Sequence, residues 1–270
     1  MTDDKSLTYN SYLKLDELLR LQVVQSARSG IPADGEHDEM LFITIHQVFE
    51  LWFQQLLHEL DLACRLMRSD ETAKTQQTLK RVLTILKVMV GQIDVLETMT
   101  PLHFNAFRAR LESASGLQSH QFRELEFLLG CKGADVLRRY RGDHEARAAI
   151  ERRYREPTLW DAFVALLAAH GYPVPAPVLS RDVTQSVQAD AGMRAVLAEV
   201  YRQDAQLLPL CELLMDLDEG LQEWRYRHVK MVQRTIGSKA GTGGSVGVDY
   251  LMATLNKPIY PDLWDVRADF

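Results

Sequence analysis

PLCELLMDLDEGLQEWRYRHVKMVQRTIGSKAGTGGSVG, residues 209–247, decides how the rest of the chain is read. Leu213, Leu214, Leu217, Leu221, Trp224, Met231 and Ile236 recur at spacings of three and four, the signature of a long amphipathic helix. His228 takes the place in that stripe between Trp224 and Met231, so its imidazole points inward. Acidic residues (Glu212, Asp216, Asp218, Glu219, Glu223) fill the first half and basic ones (Arg225, Arg227, Lys230, Arg234) the second, as the helix dipole favours, and Gly237 supplies the stop. Two readings of His228 stand side by side. It is either a core histidine hydrogen-bonded to backbone, or a ligand to a metal centre with anionic substituents, such as haem with its propionates.

A second long helix is expected over Asp38–Met67, with the stripe Phe42, Ile45, His46, Phe49, Trp52, Phe53, Leu56, Leu60. It again carries a histidine among apolar residues, and Glu50 lies one turn beyond His46. No histidine in the chain has Glu three residues before it, which argues against a di-iron carboxylate bundle. His58-Glu59 fails as a zinc motif because position 62 is Leu.

Asp70 is expected to cap a third helix running to Met99, built on Leu79, Val82, Leu83, Leu86, Val90, Ile93 and Leu96. Thr100-Pro101, a cap followed by proline at the first helical position, opens a shorter one whose stripe is Phe104, Phe107, Arg108, Leu111. Arg108 beside two phenylalanines either snorkels outward or meets a buried anion. Ser113–Gly116 breaks the pattern before a helix through Phe122, Leu125, Leu128 and Leu129, ended by Gly130. Residues 132 to 200 read as shorter, more charged helices around Asp135–Tyr140, His144–Tyr154 and Thr158–His170, then a proline-rich turn at Tyr172–Val178. They form a charged insert without evident chemistry.

At the start of the chain, Tyr9, Tyr12 and Leu13 share one face of a helix, which either packs on the core or covers a site on another subunit. Near the end, GTGGSVG is not a phosphate loop. Val246 stands where G-x-G-x-x-G from Gly241 needs Gly, and no Gly-Lys-Ser/Thr follows. A lid, or a backbone closely approaching a ligand, suits it better.

Composition narrows the class. A chain of 270 residues with 46% hydrophobic content and no low-complexity linker suits one domain over 1–270, with a small helical insert at about 132–200. Three scattered cysteines form no C-x-x-C pair, which suits a reducing, cytoplasmic setting. There is no signal peptide or long apolar span, so no membrane is expected, and a net charge of −6 with interspersed signs gives no footprint for nucleic acid. With no alternating run to build a sheet, the fold class is all-α.

Three blocks, HDEMLFITIHQVFELWF, PLHFNAFRARLESASGLQSHQFRELE and WRYRHVKMVQRTIGSKAGTGGSVG, resemble the tryptophan 2,3-dioxygenase family in the same order and over nearly the whole chain. The resemblance implies long helices bundled around a haem pocket in a haem b-dependent homotetramer. It also implies cleavage of the indole C2–C3 bond of L-tryptophan by O2, giving N-formylkynurenine. By motif, His228 would bind the iron and His46 would sit near the indole N–H. Arg108 would take the substrate carboxylate, Thr242 would hold the amino-acid end, and Phe42 and Phe104 would wall the indole. Ser115 and Gly116 would lie against the haem and O2. Tyr9, Tyr12 and Leu13 would close the site of a neighbouring subunit.

The sequence departs from the family pattern at Leu117, usually Phe, at His120, usually Leu, and at Val246, usually Ser. A missing aromatic at 117 and an altered loop leave one alternative, a relative that puts one oxygen into a tryptophan derivative to give an oxindole. A separate one is a haem-binding sensor or carrier without turnover, against which Arg108 and the aromatic wall argue.

Overall fold

The computed structural model describes residues 6–25, 37–140, 142–237, 239, 251–255 and 257–270. Among these residues there are helices and connecting turns but no strand, as the all-α expectation requires. In chain order the helices are α1 (Tyr9–Leu13), α2 (Leu15–Leu18), α3 (Asp38–Arg68), α4 (Thr72–Leu96), α5 (Pro101–Arg108) and α6 (His120–Leu129). They continue with α7 (His144–Arg155), α8 (Leu159–Ala169), α9 (Ala176–Leu179), α10 (Ala191–Gln203), α11 (Leu208–Ile236) and α12 (Pro261–Asp265). No helix among the described residues is long and apolar enough to cross a membrane.

Three long helices form the frame. α3 has 31 residues, about 46 Å at 1.5 Å per residue, and it packs along α4, which packs in turn along α11. Each contributes the stripe that its sequence periodicity marks. Phe49, Phe53, Leu56, Leu60 and Met67 from α3 meet Leu79, Val82, Leu86, Met89 and Ile93 from α4, and Leu210, Leu214, Leu217 and Leu221 from α11, all buried in one core. α8 and α10 join the same core through Trp160, Phe163, Met193, Leu197 and Val200. Residues 136–150 build a smaller cluster against Phe127: Val136, Tyr140, Ala146 and Ile150.

Local chemistry sets the helix ends. Thr100 accepts from the His103 N–H at 3.3 Å with Pro101 at the first position of α5, as its sequence indicates. Asp70 does not cap α4. It adopts a left-handed backbone at φ 57° just beyond the end of α3, a conformation Asp tolerates, and its carboxylate accepts from His170 Nε2 at 2.6 Å. α4 therefore starts at Thr72 and stops at Leu96, short of Met99. α10 is a helix the sequence reading passed over, although Asp190 caps it by accepting from the Met193 N–H at 2.9 Å.

The C-terminal segment is fastened by one buried carboxylate. Asp218 on α11 accepts from the Ile259 and Tyr260 backbone N–H groups at 2.7 and 3.0 Å, and from Trp264 Nε1 at 3.0 Å. Its other oxygen takes the Gln222 amide at 2.9 Å. Asp218→Ala would strand those donors in the core at about 1–3 kcal/mol each, partly relieved by water, for a loss of about 3–5 kcal/mol. The expected drop in Tm is about 10 °C by calorimetry, with Asp218→Asn losing less; an unchanged Tm would show that the segment docks without this anchor.

Candidate active site

Where α3, α5, α6 and α11 converge they leave a cavity of about 250 Å3. Its walls are mostly aromatic and aliphatic, with a few polar groups aimed inward, the composition of a small-molecule site. The structure brings Phe42, His46, Phe104, Arg108, Ser115, Gly116 and His228 to this one cavity. Thr242 and Val246 lie outside the described residues. Tyr9, Tyr12 and Leu13 sit on α1, held by a Thr8–Ser11 capping box, and are 77, 71 and 40% exposed, apart from the cavity of their own chain.

The two histidines arrive from facing long helices, and both are neutral at physiological pH for stated reasons. His46 has its pKa lowered, first by burial, against the opposing effects of the Phe42 carbonyl and Glu50. Its Nδ1 lies 2.7 Å from the Phe42 carbonyl oxygen. A carbonyl oxygen only accepts, so Nδ1 carries the proton and Nε2 keeps its lone pair. The ring also rests on Phe42, with centroids 4.0 Å apart, and Phe42 packs in turn on Phe104 at 5.8 Å.

His228 is pushed down to about 4, mainly by burial and further by His46 and Arg123. It retains some accessible surface although protein surrounds it, because it lines the cavity. Its imidazole is thus a neutral donor through the physiological pH range. Trp224, one turn earlier on α11, lies parallel to it, the planes 4° apart and the centroids 5.3 Å apart.

The far wall carries charges the sequence reading did not single out. Glu126 on α6 pairs with Arg225 on α11 at 2.8 Å and also with Arg123, all three buried. Two guanidinium groups share the Glu126 carboxylate, and Glu50 brings a second carboxylate to the same cavity. The sequence places Arg225 in the basic half of its helix and gives Glu126 no role. Their pairing spans 99 residues of sequence, which no periodicity reveals. The i,i+3 spacing of Arg123 and Glu126 inside an apolar stretch was the one available signal. Glu50, with Oε2 accepting from the Gln121 amide at 2.9 Å, and Leu117 complete this side.

No three His, Cys, Asp or Glu side chains converge as metal ligands among the described residues. The donor set therefore suits a metal that brings most of its own ligands. A single neutral imidazole on an aromatic wall, with two guanidinium groups nearby, fits a flat, largely apolar cofactor with anionic substituents.

The profile of the tryptophan 2,3-dioxygenase family matches residues 1–167 and 178–270. A tryptophan 2,3-dioxygenase of Herpetosiphon aurantiacus is 57% identical over 98% of this chain and 99% of its own. Proteins of the same name from Anaeromyxobacter dehalogenans and Caulobacter vibrioides are 50 and 41% identical, each over at least 98% of both chains. Arg108, the cavity histidines and the blocks around them lie within the matched residues, and at these identities over the full length the relationship extends well past the site. The chain belongs to the tryptophan 2,3-dioxygenase family.

Proposed function

We propose that the protein binds haem b through His228 and uses O2 to open the indole C2–C3 bond of L-tryptophan, giving N-formylkynurenine. The reaction is a sum without a leaving group: both oxygen atoms end in the product and one carbon–carbon bond is lost. One observation carries the reading. A neutral His228 lining an aromatic cavity shares it with a second neutral histidine and an arginine, in a chain of this family.

Bound haem supplies the activation of O2, and the chain supplies orientation and exclusion of water. Phe42 and Phe104, in ring contact with each other, wall the indole. Arg108 pairs with the amino-acid carboxylate, and Thr242 holds the same end of the substrate. Ser115 and Gly116 form the tight turn beside the cofactor, where Ser115 Oγ accepts from the Leu117 N–H at 3.3 Å. Arg123 and Arg225, held in place by Glu126, supply the guanidinium groups that the cofactor's anionic groups would meet. Tyr9, Tyr12 and Leu13, largely exposed on α1, close the site of a neighbour in a homotetramer.

His46 acts by accepting the indole N–H at Nε2, the nitrogen left free by the Phe42 contact. It does not remove that proton in an obligatory step. Indole N–H is a very weak acid, and burial lowers the basicity of this imidazole below its ordinary value of 6.5. His46→Ala should lower kcat/KM by about five- to a hundredfold, the worth of one hydrogen bond of about 1–3 kcal/mol. A 1-methylated tryptophan should still turn over. Complete loss of turnover with haem and substrate bound, together with a bound but inert 1-methyl substrate, would establish an obligatory base.

The activity is tested by incubating ferrous protein with L-tryptophan and 18O-labelled O2 and weighing the product. Two labelled oxygens in N-formylkynurenine are expected. A single labelled oxygen would indicate oxindole formation, and unchanged tryptophan with haem bound would indicate a sensor.

A further inference from the structure

We infer that Trp224 is the positioning residue that sets the orientation of the His228 ring; the inference rests on the proposal that His228 is the cofactor's ligand. A ligating histidine ordinarily has its second ring nitrogen held by a carboxylate, a carbonyl or water, which fixes the plane of the ring. His46 has such a hold in the Phe42 carbonyl one turn back. His228, at the equivalent place on α11, takes no such bond from the carbonyl one turn back, that of Trp224. What meets its ring instead is the indole of Trp224, parallel to within 4°.

That indole is itself locked. It packs edge-on against Phe49 and Phe53 of α3, with centroids 6.2 and 6.0 Å away, and lies against Phe122 of α6 at 5.0 Å. Three rings from two other helices thus hold Trp224, and Trp224 holds His228. Aromatic contacts of this kind are directional, and the cost of tilting a ring out of one is shared by its neighbours. Trp224 is 7% exposed and lines the cavity, and its Nε1–H has no acceptor among the described residues. The side chain is placed there for the face of its ring and not to satisfy a hydrogen bond within the protein. Four residues separate Trp224 from His228, so one turn of helix and one stack convert the rigidity of the core into a fixed imidazole plane.

The test reads the iron–imidazole stretching band of the ferrous, haem-loaded protein by resonance Raman, and the rate of haem transfer to an acceptor globin. Trp224→Met, apolar but without a ring, should shift and broaden the band and speed haem loss by about 10–100-fold. Trp224→Phe, which keeps a ring face but no N–H, should stay close to wild type on both measures. Phe163→Leu, which removes buried aromatic volume from α8 outside the cavity lining, should leave the band in place. An equal band in all four proteins overturns the assignment, as does a shift in Phe163→Leu as large as that in Trp224→Met. If Trp224→Met does not fold, Trp224→Phe decides: a wild-type band supports the stack, and a displaced one overturns it. Absence of any such band in the wild-type protein, or its persistence in His228→Ala, removes the ligand assignment itself.

Discussion

His228→Ala should abolish the Soret band of the purified protein, or convert it to that of a haem without a protein axial ligand, and should lower turnover by at least about a thousandfold. His228 is the neutral imidazole on the α11 wall of the cavity, and burial keeps it unprotonated down to about pH 4. Alanine leaves no donor on that wall, and His46 stands on α3 instead of α11. Losing an axial bond worth several kcal/mol translates into three or more decades in rate, at 1.36 kcal/mol per decade. The helix itself should survive, because alanine is a good helix former and Leu221, Trp224 and Met231 continue to anchor it. Adding imidazole to His228→Gly should restore the band in part, separating loss of a ligand from loss of the fold. A wild-type spectrum in the alanine variant would sink the assignment.

Arg108→Ala should cost about a hundred- to several-thousandfold in kcat/KM for L-tryptophan. The residue ends α5 and lines the cavity, directly after the turn that places Phe104 and Phe107 in the core. A carboxylate brought into that aromatic enclosure without a partner loses about 3–5 kcal/mol. The variant should also lose its preference for tryptophan over tryptamine, which has no carboxylate to mispair. Arg108→Lys should recover only part of the loss, since a point charge does not reproduce the two parallel bonds of a guanidinium. If Arg108→Ala still prefers tryptophan as strongly as the wild type does, the carboxylate is held elsewhere.

The frame of the molecule is written in periodicity. The stripes of α3, α4 and α11 lie inside as their spacing requires, and both inward histidines reach the cavity because each replaces an apolar residue in such a stripe. Thr100-Pro101 opens α5 for the same local reason in sequence and structure. Asp70 shows where local signals mislead: an Asp after a helix serves the left-handed position as readily as it serves an N-cap, and the length of α3 decides between them. α10 was missed because Met193, Leu197 and Val200 sit in a short stretch among charges, although its Asp190 cap was visible. The charged wall was illegible for a different reason. Arg123, Glu126 and Arg225 become a site feature only when α6 lies against α11, and that packing depends on tertiary contacts that no single stripe encodes.

The cavity also ties the lifetime of the protein to the supply of what fills it. A cavity of about 250 Å3 leaves the apolar side chains that line it short of packing partners until it is filled, which costs folding free energy. Folded proteins typically exceed their unfolded states by only about 5–15 kcal/mol, so even a small cost of this kind matters. A ligand present at a hundred times its dissociation constant returns about 2.7 kcal/mol and more as its concentration rises. Copies of the chain whose cavity is unfilled should thus be more exposed to proteolysis than filled ones. The hollow that makes room for chemistry should therefore also make the protein's resistance to proteolysis depend on what fills it.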